Sequence, residues 1–311
     1  MNGSMMRLTW GATAMLGVLC SNAAAEDLAL ADQPLFVTNN VLPNVVMAID
    51  DSGSMDFEML FSTNGGTLWW NRFSRRFTSN GELLSPPPDE QGSYWNMVYL
   101  FPNGYNANGH KDRRAYSSRY ALPPFDRYGF ARSPAFNRSY FDPTVDYRPW
   151  PGHDDADPDN AESDPVFGSH DFDLTRDRRR YGNGRNFLVP AYMTIPSGTI
   201  YSTNGRDWFR LNGNASVQNA ILMGIQYYPA TFYLPADEPL GGEFGYTETP
   251  ERVSSAVGVD LLKYEIRPSN FAQGSDYSAL MQRFANWFTY YRKRHLATRG
   301  GVSLAFQNLD S

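Results

Sequence analysis

The sequence predicts an α/β fold, and three features carry that reading: a short apolar run at 44–50, a polar loop directly after it, and an amphipathic stretch at 276–299. The run, Asn44-Val45-Val46-Met47-Ala48-Ile49-Asp50, lacks polar alternation, as expected of a strand buried on both faces of a parallel sheet. Sheets of that kind bind ligands at the carboxyl ends of their strands. In the amphipathic stretch Tyr277, Leu280, Met281, Phe284, Trp287, Phe288 and Tyr291 recur at steps of three and four, one face of a helix.

Taken from the N-terminus, residues 1–25 have the layout of a secretory signal peptide. Arg7 precedes an apolar run, Leu8 to Leu19, and Ala23-Ala24-Ala25 supplies small residues at a cleavage site. At roughly 12 residues the run is shorter than the ~20 that span a bilayer, so no transmembrane segment is expected once the leader is removed. Cys20 is the lone cysteine, and Leu19 before it disfavours lipid attachment. The mature chain would then carry no disulfide and no cysteine-based zinc site. An aromatic content of 15% with only 19% charged residues argues against disorder, and 27 basic against 33 acidic residues gives no reason to expect a nucleic-acid partner.

Residues 26–60 hold the strand and its loop, and 61–275 read as a loop-rich, partly β insertion. Pro86-Pro87-Pro88 and Pro123-Pro124 punctuate it, and Leu188–Ile195 and Ile221–Leu234 are strand-like. The helix follows in 276–311. Ser275 or Asp276 can cap its start, and Arg292, Lys293, Arg294, His295 and Arg299 at its end complement the helix dipole. Gly300-Gly301 offers a stop, although Val302–Phe306 can continue the helix after a kink.

The loop Asp50-Asp51-Ser52-Gly53-Ser54-Met55 carries the chemistry. Alternation lets Asp50, Ser52 and Ser54 converge in an extended turn, and an oxygen-only set suits a hard cation, Mg²⁺ or Ca²⁺. The competing use of these residues is a helix N-cap. Asp-x-Ser-x-Ser after an apolar strand resembles the metal-ion-dependent adhesion site of von Willebrand factor A domains. More of the text is similar to PilY-type proteins, the biogenesis factors and tip adhesins of type IV pili: Pro34-Leu35-Phe36, Pro43 through Met55, Ser133 to Arg138, Tyr147-Arg148-Pro149-Trp150, Tyr227 to Thr231, and Phe284 to Arg292.

That resemblance implies a partial von Willebrand factor A (Rossmann-like) domain whose first strand and first helix are separated by the insertion. It implies an exported protein at the periplasm, outer membrane or pilus tip, acting by metal-dependent binding to minor pilins, other pilus proteins or a host or surface receptor, with no catalytic residue. It further implies a Thr and an Asp from two later loops, more strands and a β-propeller, none assignable before Ser311. Asp50, Ser52 and Ser54 are therefore expected to be half a site that holds its cation weakly. The domain is read as truncated after the helix, with the apolar faces of 44–50 and 277–291 left exposed.

Other constellations are less specific. Asp154, Asp155, Asp157, Asp159, Glu162 and Asp164 form an acidic stretch, in which Asp155-x-Asp157-x-Asp159 has the opening rhythm of an EF-hand loop but Asn160 and Val166 replace its Gly and Glu. The nearby basic run Arg176, Arg178, Arg179, Arg180 and Arg185 is expected to pair with it or to be solvated. His110, His153, His170 and His295 have no ligand spacing, and no Gly-x-Ser-x-Gly elbow occurs. The aromatic residues of the insertion can form a core or stack on sugars. An exported carbohydrate-active or carbohydrate-binding protein is therefore the alternative function.

Overall fold

The periodic stretch forms helix α1, Gly274–Tyr290, followed after a three-residue break by α2, Arg294–Phe306. These helices belong to a computed structural model describing residues 46–50, 52–62, 66, 68–71, 94–97, 99–102, 121–162, 165, 171–179 and 187–307. Residues 1–25 with Cys20, and Pro34–Phe36, Asn44, Val45, Asp51, Pro86–Pro88, His110, Asp164, Val166, His170, Arg180 and Arg185, lie outside the described residues. The chain divides into two units, Met1–Ala48 and Ile49–Ser311, and the architecture below is that of the second.

The described residues form a mixed α/β structure. Its strands are β1 (Leu68–Asn71), β2 (Tyr94–Met97), β3 (Ala161–Glu162), β4 (Asp171–Phe172), β5 (Phe187–Val189), β6 (Thr194–Ile195), β7 (Ile200–Ser202), β8 (Phe209–Arg210), β9 (Ala215–Ser216), β10 (Ile221–Ile225), β11 (Thr231–Pro235), β12 (Glu251–Ser254) and β13 (Asp260–Glu265). The two larger sheets run β5-β10-β7-β8 and β11-β13-β12, and β1-β2, β3-β4 and β6-β9 are two-stranded. Every ladder among the described strands is antiparallel, and the isolated Tyr99–Ala121 bridge is parallel. Each strand-like segment of the sequence breaks in two. Pro190 and the left-handed Tyr192 (φ 63°) part β5 from β6, and Pro229 parts β10 from β11.

Three expectations need correction. Residues 46–50 form no strand, and Val46, Met47 and Ile49 are 94%, 41% and 53% exposed. A strand buried on both faces needs backbone partners on each side, and none of the described strands pairs with this run. The helix, by contrast, does not expose its apolar face: Leu280, Met281, Phe284, Trp287 and Phe288 are all buried. Aromatic residues from the loop-rich region cover it, with Phe101 5.1 Å from Phe288, Phe141 5.0 Å from Phe284 and Tyr140 4.8 Å from Trp287 between ring centroids. The same Phe141 ring reaches Phe232 on β11, so the three-stranded sheet and α1 share one core.

The third correction concerns the helix end. The chain leaves α1 at Tyr291, not at Gly300-Gly301, and the N-cap is Gln273, without a side-chain cap. Gly300 lies inside α2, and two rings press on it where a side chain would stand: an added Cβ would lie 2.7 Å from Tyr291 Cε1 and 2.9 Å from Trp150 Nε1. The Trp150 ring cannot yield easily, since its Nε1 donates to Tyr290 O at 3.1 Å.

Candidate metal-binding loop

The alternation of Asp50, Ser52 and Ser54 brings their oxygens together as the sequence predicts. The Ser52 backbone N–H donates to Asp50 Oδ1 at 2.8 Å and its hydroxyl to Asp50 Oδ2 at 3.1 Å. Ser52 Oγ lies 3.0 Å from Ser54 Oγ. Ser54 stands in a 3-10 turn, Gly53–Asp56, closed by Met55 N–H donating to Ser52 O at 3.0 Å. The backbone and hydroxyl of Ser52, in that order, hold the Asp50 carboxyl below its ordinary value of 3.8, so it is ionised at neutral pH.

This set fits a hard cation. One carboxylate and two hydroxyls would supply the oxygen ligands that Mg²⁺ or Ca²⁺ takes. Asp50, Ser52 and Ser54 would hold the ion from one side, and their exposure leaves its remaining positions to water or a partner's oxygen. Among the described residues no group of three or more His, Cys, Asp or Glu side chains could hold a metal. In the acidic stretch, Asp155, Asp157 and Asp159 each make structural hydrogen bonds. Asp155 Oδ1 accepts from Asn286 Nδ2 at 2.8 Å, Asp157 Oδ1 from the Asp159 N–H at 3.0 Å, and Asp159 Oδ1 from Thr175 Oγ1 at 2.9 Å.

The segment after the loop is clamped by the basic run at the break between α1 and α2. Lys293 Nζ meets Asp56 Oδ1 at 2.6 Å, and Tyr99 OH donates to Asp56 Oδ2 at 2.7 Å. Arg292 Nε donates to Glu58 Oε1 at 2.8 Å inside the core, where both side chains are at most 1% exposed. Glu58 Oε2 accepts the Leu100 and Phe101 N–H groups at 2.7 and 2.8 Å. Arg294 donates to Met59 O and Gly66 O. His295 Nδ1 faces Met55 O at 3.1 Å, and since a carbonyl only accepts, Nδ1 carries the proton. Asn137 completes the hold, accepting the Leu60 N–H at 2.7 Å and donating to Glu58 O at 3.3 Å. These cations therefore grip residues 55–59 instead of complementing the dipole of one long helix.

Lowering the pH tests this clamp. Burial pushes the Asp56 carboxyl up, but Lys293, Tyr99 and His295 together outweigh it and hold the group below its ordinary 3.8. Its contribution to stability is thus complete above the unfolded value and is lost as pH falls through the folded one. In urea unfolding followed across acid pH, Asp56→Asn is expected to flatten the loss of stability below about pH 4. An acid limb identical to wild type would remove Asp56 from the groups responsible.

Arg176 pairs with Asp173, Arg179 Nε donates to Gln226 Oε1 at 2.5 Å, and the Arg178 guanidinium lies 4.3 Å over the Phe172 ring. Sequence reasoning missed Glu58, although a lone carboxylate within Phe57-Glu58-Met59-Leu60-Phe61 signals a buried, paired charge. It also missed Asn286, whose amide joins α1 to the Ala156 N–H at 2.8 Å and to Tyr147 O at 3.0 Å.

Comparison with known proteins places these features in a distant relationship. The chain is 22% identical over 307 residues to the type IV pilus biogenesis factor PilY1 of Pseudomonas aeruginosa strain PAO1, an alignment covering 95% of this chain. It spans 17% of the length of that protein. No protein-family model matches the chain, and no solved structure matches it. Among the described residues no helix is long and apolar enough to cross a membrane.

Proposed function

We propose that this chain is an exported, type IV pilus-associated protein that binds a partner through a divalent cation held by Asp50, Ser52 and Ser54. The observation that carries the reading is the convergence of these three side chains on an exposed turn whose continuation is fixed to the core by Arg292–His295. Similarity to PilY1 along nearly the whole chain supports the pilus setting. In this reading the loop is the adhesion site of a von Willebrand factor A-like domain, and Mg²⁺ or Ca²⁺ leaves a coordination position for a carboxylate from a pilin, another pilus protein or a surface receptor. The protein acts by binding and not by catalysis. One carboxylate and two hydroxyls bind weakly, because most of the ion's oxygens must come from water or the partner.

Calorimetric titration of the full chain with Mg²⁺, Mn²⁺ and Ca²⁺ tests the site. Asp50→Ala is expected to abolish the binding isotherm, and Ser54→Ala to weaken it about tenfold while leaving the fold intact by circular dichroism. Superimposable isotherms for wild type and Asp50→Ala would sink the metal assignment.

A further inference from the structure

A second site lies on a different part of the molecule. One face of the β11-β13-β12 sheet carries Lys263 and Glu265 at alternate positions of β13, directly opposite Tyr233 and Thr231 of β11. Alternate residues of a strand and their cross-strand partners share a face. Above them, Phe125 and Asp126 begin the 3-10 helix Asp126–Arg132, and the turn from Pro196 to Ile200 forms a further wall. The cleft, half open to solvent, has a volume of about 420 Å³, within the range of roughly 300–1,000 Å³ for small-molecule sites. Gly129 lets the helix approach closely, since an added Cβ there would lie 2.6 Å from Tyr233 Cδ1.

The cleft floor is a ladder of alternating charge. Tyr233 OH and Lys263 Nζ both donate to Asp126 Oδ1, at 2.7 and 2.9 Å. Lys263 lies 3.8 Å from Glu265 Oε1, Arg267 Nε meets Glu265 Oε2 at 2.5 Å, and Arg267 Nη2 meets Asp177 Oδ1 at 2.6 Å. The Arg267 guanidinium also lies 3.8 Å over the Tyr228 ring, which braces it from below. With Arg132 and Arg210, which line the margin, three carboxylates stand against four cations. A ladder so nearly neutral has no preference for a strongly charged ligand, and its polar lining does not suit an apolar one.

Hydrogen-bonding capacity is left over. An ammonium has three donors, and among the described residues only Asp126 Oδ1 lies within hydrogen-bond distance of Lys263 Nζ, its contacts to Glu265 and Glu251 being 3.8 and 4.0 Å. Asp126 Oδ2 and Glu265 Oε1 accept no hydrogen bond among the described residues. Open acceptors on Asp126, at the start of the 3-10 helix, and on Glu265 of β13 therefore flank the open donors of Lys263. A hydroxyl group is donor and acceptor at once, so a row of hydroxyls satisfies both in register, where a carboxylate or an amine satisfies one and is repelled by the next.

We propose that this cleft binds a neutral saccharide, its hydroxyls bridging Asp126, Lys263 and Glu265. The Ser197 hydroxyl at the wall extends the same chemistry. Saturation-transfer NMR and calorimetry on the full chain, with glucose, galactose, mannose, N-acetylglucosamine and lactose against glucuronate and glucosamine, test the assignment. A neutral sugar of the panel is expected to bind, with both charged sugars weaker. Glu265→Gln is expected to weaken that sugar about tenfold. Ser197→Trp, at an exposed turn position on the cleft wall, is expected to abolish binding by obstructing the cleft, while the near-ultraviolet spectrum shows the fold intact. No binding of any neutral sugar at millimolar concentration, a preference for a charged one, or binding unaffected by Ser197→Trp would each overturn the proposal.

Discussion

Glu58→Ala and Arg292→Ala are each expected to lower the unfolding free energy by about 3–5 kcal/mol, because each leaves one charge buried without its partner. The pair is enclosed on every side. Arg292 lies 3.8 Å over the Phe288 ring and 5.7 Å over Phe101, and its Nη1 donates to Phe288 O at 3.0 Å. Glu58 serves two further donors, the Leu100 and Phe101 N–H groups, so its removal also orphans backbone. Glu58→Gln separates the two losses. The amide oxygen can still accept from the backbone, while the guanidinium loses its counter-charge. The double variant Glu58→Leu/Arg292→Met removes both charges and is expected to cost less than the sum of the single changes, though the unpaired N–H groups keep it below wild type. A double-mutant cycle in urea measures this. Single losses under about 1 kcal/mol, the range of surface pairs, would show that water reaches the pair.

Trp287→Ala is expected to cost about 3–5 kcal/mol through cavity formation. The indole is 1% exposed and touches four rings: Tyr140 at 4.8 Å, Phe284 at 5.1 Å, Phe141 at 6.0 Å and Phe101 at 6.1 Å between centroids. Its Nε1 donates to Ser139 O at 3.0 Å, tying the helix to the turn that follows Asn137. Trp287→Phe retains an aromatic ring but neither that hydrogen bond nor the full volume, and should lie between wild type and alanine. Thermal unfolding with near-ultraviolet circular dichroism reads both variants. Equal midpoints for Trp287→Ala and wild type would mean that α1 is not packed as described.

What the sequence revealed and what it hid follow one physical division. Helix α1 was legible because its buried face repeats every three or four residues, a pattern complete within 17 positions. The Asp50, Ser52 and Ser54 cluster was legible because alternation in an extended turn is equally local. The clamp was not. Arg292 and Glu58 are 234 positions apart, Lys293 and Asp56 237, His295 and Met55 240. A charge whose partner lies so far away leaves no spacing to read, so the same cations looked like a helix terminus. Gly300-Gly301 misled for a related reason. A glycine that stops a helix and a glycine that admits two rings are the same letter, and only the positions of Trp150 and Tyr291 separate them. The aromatic excess of residues 61–275 was ambiguous between core and surface. It resolved toward core where α1 offered a face to cover, while the alternation of Lys263 and Glu265 with Leu262 and Tyr264 in β13 was the overlooked local sign of a polar wall.

The clamp between residues 55–59 and 292–295 also fixes an order of events in folding. Closing a loop of about 235 residues costs roughly 2–3 kcal/mol more entropy than closing one of about 12. Local elements such as α1 and the β12-β13 hairpin can assemble beforehand, whereas the turn bearing Asp50, Ser52 and Ser54 is braced only after distant segments have met. Cation affinity should therefore appear in the last kinetic phase of refolding, after the helix signal has already recovered.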